Sequence, residues 1–386
     1  MVGISKQLGD SVDDGLGAID KSKPIVVSDW EGPWVSADHA YDVVKVGIPN
    51  GDRLFSALSN YAVYLADVRK QRDAEPGETL RLAVPFLIAY GADDRLLNKI
   101  AIEDAKFIDG SKEAINLILC SGSSFWVVST SYNQYVWQTA PMAGIPIEKT
   151  RCTILPIGDL SKYVREEDKE MLRGVAEKVS ATAALRIDKF SKEDDMPTNV
   201  RDAVAMLDGV FSDTLPRTSF APALETVKPV GGQRKLDSLV DIMRREGRKM
   251  ADAVVLGDSI TDRSMLGETS RSMGLAISFN GNEYAIKNAN VAVASSNCMV
   301  TPVLVQIFGR AGLSRIEEIA SNWSIEVLRR EVGIGNLDRA LFNTISGMVG
   351  SAQPKVYWIT DDNKEKAIKQ SLDTRNFVRG EVSKLT

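Results

Sequence analysis

Residues 24–35 read PIVVSDWEGPWV and predict a buried strand that ends on an acid. Ile25, Val26 and Val27 form a short apolar, β-branched run. Asp29 stands just past that run, Glu31 follows two residues later, and Gly32-Pro33 breaks the strand. Open α/β sheets place their ligands at the carboxyl ends of buried strands. A plain strand-ending turn uses the same residue types, so the segments further along the chain decide between the two.

Further apolar runs at 125–129 (FWVVS), 152–155, 253–256, 274–279 and 291–294 predict more short strands. Helical spacing separates them. Leu54, Leu58, Tyr61, Ala62 and Leu65 recur three and four residues apart, and 38–117 shows no strand alternation. That block is expected to be a helical cap inserted after the first strand. A second helical insertion is expected over 160–224, with Leu172, Val175, Val179 and Ala183 on one face. A helix from Arg234 or Lys235 to Glu246 carries Leu236, Leu239, Val240 and Met243. The tail, 301–386, reads as a helical extension, with a charged surface helix over 364–375. Alternating strands and helices predict an α/β fold, a doubly wound parallel sheet built from 1–37, 118–159 and 225–300. Residues 1–23 read as a polar lead-in without the apolar core of a signal peptide.

Composition narrows the function. The chain has 386 residues, a net charge of −5 and a single histidine, His39. An acidic balance argues against nucleic acid as the main partner. No run reaches the roughly 18 apolar residues of a membrane span. Cys120, Cys152 and Cys298 are odd in number and far apart, with neither disulfide-framework nor zinc spacing, which fits a reducing cytoplasm. One histidine excludes a His-rich metal site and makes a Ser-His-Asp triad a poor reading.

Several element ends offer polar groups: Asp29 with Glu31, Ser129 in Ser129-Thr130-Ser131, Lys235, and Asp258 with Asp262 in GDSITD. Parallel strands bring such groups to one edge of the sheet. Carboxylates, a lysine and a hydroxyl suit an oxygen-ligated Mg²⁺ with a phosphate, and Asp29 is placed to attack phosphorus in line. Lysine and the metal then offset charge on the moving phosphoryl group.

In order, DWEG, VVS, a lysine opening a helix and GDSITD resemble the four motifs of the haloacid dehalogenase superfamily. The later GLAISFNGNEYAI resembles the strand and loop after its last motif, and the 22-residue step from Lys235 to Gly257 is similar to that of phosphoserine-phosphatase-like members. The resemblance covers about 25–35, 125–155 and 228–295, leaving out the second insertion and the tail. It implies a Mg²⁺-dependent phosphatase acting on a small phosphorylated metabolite through an aspartyl-phosphate. Asp29 is then nucleophile and metal ligand, and Glu31 the general acid and base with its carbonyl on the metal. Ser129, or Thr130 or Ser131 in its place, binds phosphoryl oxygens. Lys235, with Lys228 as a nearby competitor, neutralises Asp29. Asp258 completes the metal site, with Asp262 as ligand or support.

Most phosphatases of the superfamily carry Asp where Glu31 stands; D-x-E-G occurs in the phosphoserine-phosphatase and homoserine-phosphotransferase group. Transfer to an alcohol is therefore an alternative to hydrolysis. A non-catalytic subunit, using the insertion or tail for a protein partner or a second copy, is another; uncharacterised archaeal proteins of this type are sometimes labelled hydrogenase subunits, though no Cys cluster here suits an iron–sulfur centre. By the same resemblance Asp38, nine residues after Asp29, reads a substrate amine; by residue type it equally caps a helix. Trp30 and Trp34 either wall the site or pack the core.

Overall fold

The computed structural model describes residues 23–71 and 74–380. The polar lead-in, apart from Lys23, lies outside them. Seven strands form one sheet: β1 (Ile25–Ser28), β2 (Ser124–Tyr132), β3 (Thr150–Thr153), β4 (Ala253–Gly257), β5 (Leu275–Phe279), β6 (Val291–Ala294) and β7 (Lys355–Trp358). Their order is β3-β2-β1-β4-β5-β6-β7, parallel except for β7, which runs antiparallel to β6. The register sets Ser28 beside Val127 of β2 and Leu256 of β4.

Both faces are apolar, so both are covered. Val26, Val254 and Leu256 pack on one face with Ile115, Val136 and Val303, from helices Ser111–Cys120, Asn133–Met142 and Val300–Ser321. Ile25, Val27 and Val255 pack on the other with Leu239, Ile242 and Met265, from helices Gln233–Arg245 and Arg263–Arg271. This is the doubly wound arrangement. The chain leaves β1 toward β2 and β3 and later returns across β1 to β4, so the strand order reverses between β1 and β4. Ligands of such sheets bind in the crevice at that reversal.

Four expectations change in detail. The helix Ser111–Cys120, within the expected cap, packs under the sheet. The two insertions are not separate bodies. Leu54, Leu58 and Phe86 share one hydrophobic cluster with Leu172, Val200 and Phe211. Arg69 adds two 2.7 Å bonds to Asp208, which also accepts from the Tyr61 hydroxyl at 2.5 Å. The tail is not wholly helical, because Lys355–Trp358 closes the sheet as β7. Its last helix, Lys364–Arg379, is no surface helix either: it buries Ala367, Ser371, Arg375 and Arg379, at strict four-residue steps.

Candidate functional site

Asp29 and Asp258 follow the ends of two hydrogen-bonded parallel strands, and the Asp29 N–H donates to Leu256 O at 3.0 Å. The topology alone therefore sets the two acids side by side at the reversal. Glycine is required next to them. Gly32 has φ +101°, and a Cβ there would fall inside the Asp258 carboxylate.

Lys235 enters from the first turn of Gln233–Arg245. It lies on that helix's buried stripe with Leu239 and Ile242, four and seven residues on, which carries its ammonium to the sheet edge. Its Nζ lies 2.7 Å from Asp29 Oδ2 and 2.7 Å from Asp262 Oδ1, fully buried. Lys228 is exposed. Val240, counted on the apolar face, is half exposed.

Asp262 has both oxygens engaged. Oδ2 accepts from the N–H groups of Asp258 and Ser259 at 2.9 and 3.0 Å, which ties the loop after β4 to Lys235. Asp258 is met from the opposite side by two arginines of Lys364–Arg379. Arg375 and Arg379 both donate to its Oδ2, the latter at 3.0 Å. Asp258 Oδ1 takes no hydrogen bond among the described residues.

Asp29, Asp258 and Asp262 offer one oxygen each within 4.8 Å of one another. Burial, then the neighbouring Asp262, pushes the Asp29 carboxyl up to about 8 against the pull of Lys235. A hard divalent cation is the group that such a nest of oxygens accommodates. The Glu31 carboxylate is outside the nest. Its Oε1 accepts from His39 N–H at 2.9 Å and Ser131 Oγ–H at 3.2 Å. Burial, then Asp38, holds Glu31 well above the usual carboxyl range.

A cavity of about 740 Å³ opens over these groups, walled by Asp29, Glu31 and Asp258 below and by Phe55, Ser59 and Leu80 of the helical domain above. Thr130 and Ser131 line it, whereas Ser129 is fully buried outside its wall and accepts from Ser131 N–H at 3.2 Å. Asp38 lines it too, but its side chain caps helix His39–Gly47 through Tyr41 N–H at 3.1 Å, and it faces the charge of Arg379. His39 is buried, stacked on Tyr135, with Nε2 3.0 Å from Leu97 O. Trp30 and Trp34 belong to the core, their indole N–H groups donating to Thr139 and Ser28.

Sequence reasoning missed Arg375 and Arg379. Their helix is charged throughout, but Ala367 and Ser371 precede them on the same four-residue row. Small residues continued by arginine along one row mark a buried stripe.

No protein-family model matches the chain, and no curated protein does. Among solved structures, that of gene product AF1437 from Archaeoglobus fulgidus is similar, with a TM-score of 0.71 and 27% identity over 94% of this chain and 98% of that one.

Proposed function

We propose that this chain is a Mg²⁺-dependent phosphatase of the haloacid dehalogenase type, hydrolysing a small phosphorylated metabolite through a phosphoryl group carried on Asp29. The observation that carries this reading is the buried Lys235 ammonium, held at 2.7 Å from both Asp29 and Asp262 beneath an open cavity. A lysine so placed does little for substrate-free stability that an apolar side chain would not do. It fits a site that must take on negative charge.

Asp29 and Asp258 are the side chains that would hold the metal, with the Glu31 carbonyl as the resemblance implies and Asp262 as their anchor. Bound Mg²⁺ supplies positive charge that keeps Asp29 ionised and offsets the phosphoryl oxygens. Asp29 attacks phosphorus as the ester oxygen leaves. Glu31, whose burial favours the protonated form, donates to that oxygen and then takes a proton from the water that attacks the Asp29 acyl phosphate. Thr130 and Ser131 border the space that the phosphoryl oxygens would fill.

The cavity, about 740 Å³, has the size of an ordinary small-ligand site and admits an alcohol acceptor as well as water. With Mg²⁺ and a panel of phosphate monoesters, the protein is expected to release phosphate, and Asp29→Asn to lose at least ~10³-fold of that rate. Phosphate appearing on added homoserine instead would favour transfer. No turnover of any ester would favour the non-catalytic subunit.

A further inference from the structure

The C-terminal helix changes the charge of the metal nest. Arg375 and Arg379 reach it from 346 and 350 residues beyond Asp29 in the chain. Arg375 is fully buried, and its Nη1 also donates to Asp258 O at 3.2 Å and Asn280 O at 3.3 Å. Arg379, with its side chain 4% exposed, lies in the cavity wall. Its Nη2 donates to Ala37 O at 3.3 Å, and its Nε is buried with no hydrogen-bond partner among the described residues. Ser371 seats the helix by donating to Gly281 O at 2.8 Å.

Every carboxylate of the nest is thus already paired. Lys235 serves Asp29 and Asp262, and the two guanidiniums serve Asp258. A divalent ion entering alone meets three fixed cations at short range, in a site where charge interactions are weakly screened. A phosphate dianion entering with it restores the balance beside Arg379, which lies in the cavity wall.

We propose that the C-terminal arginine pair makes this site take Mg²⁺ and a phosphate dianion together, with Arg379 as the positioning residue that couples the two. The inference rests on the phosphatase reading above. It makes Lys364–Arg379 part of the site rather than an appendage, and it sets an order: little metal binds until the phosphate is present. By linkage, each ligand must tighten the other by the same factor.

Calorimetric titration of the full chain with Mg²⁺, with and without inorganic phosphate, tests it. Phosphate is expected to tighten Mg²⁺ binding at least tenfold. Arg379→Gln is expected to tighten Mg²⁺ alone at least tenfold and to reduce the phosphate effect below threefold, while Arg379→Lys keeps the wild-type pattern. Mg²⁺ affinity that ignores phosphate overturns the inference, while phosphate release from esters by the same protein keeps the phosphatase reading. Weaker Mg²⁺ binding in Arg379→Gln, the result if the arginine only braces Asp258, overturns the inference as well. Failure of every form to bind Mg²⁺ with or without phosphate overturns both. The wild-type comparison needs no variant to fold.

Discussion

Lys235 and Lys228 look alike in the sequence, and only burial separates them. One sits on the stripe that carries Leu239 and Ile242 into the sheet; the other is exposed. Asp29 and Asp258 were legible because strand ends announce themselves by apolar runs that stop on an acid, and Asp262 as the last residue of GDSITD. Glu31 was legible as an acid but not in its setting, since its partners His39 and Ser131 come from elements that no spacing relates to it. His39 yields a prediction of its own. Burial lowers its pKa from 6.5 to about 4. The folded protein therefore holds a neutral ring where the unfolded chain binds a proton, so stability is present above pH 6.5 and is lost as pH falls toward 4. Relative to His39→Gln, wild type should lose about 3 kcal/mol across that window in urea titrations. A wild-type-minus-variant difference that stays flat with pH would contradict it.

At the scale of elements, strands in the core were legible because they are apolar on both faces, as buried parallel strands must be. β7 was not. It is an edge strand of four residues, Lys355–Trp358, of which only Val356 is fully buried, so its pattern carries little signal. The helix Lys364–Arg379 was read as a surface element because mean polarity hides a stripe one residue wide. That stripe sets its sensitivity. Ala367, 1% exposed, packs with Ile286 of the short helix Glu283–Ile286 and with Ala292 on β6. Ala367→Glu would bury a charge without a partner and should cost about 2–4 kcal/mol. Thermal unfolding of the two proteins checks this; an unchanged midpoint would mean the helix contributes little to the fold.

At the scale of the molecule, the sheet and its order of strands followed from the alternation of elements, but the unity of the two insertions did not. Segments around 54–89 and 172–215 meet in one core through ordinary apolar side chains and through Arg69 with Asp208, and neither kind of contact leaves a trace in local spacing. Their union closes the cavity over Asp29. Leu172, fully buried in that core, should therefore affect both segments: Leu172→Ala is expected to cost about 2–5 kcal/mol and to speed amide exchange in Gly51–Val63 as well as in its own helix. Exchange altered only in Glu166–Ala181 would show two independent insertions. The central claim is that phosphorus passes onto Asp29. Incubation with Mg²⁺ and acetyl phosphate, followed by acid quench and peptide mass spectrometry, reads this directly. The account predicts one added phosphoryl group on the peptide carrying Asp29, removed by hydroxylamine and absent from Asp29→Asn. A phosphoryl group on another residue, or none on a protein that still turns over esters, would contradict it.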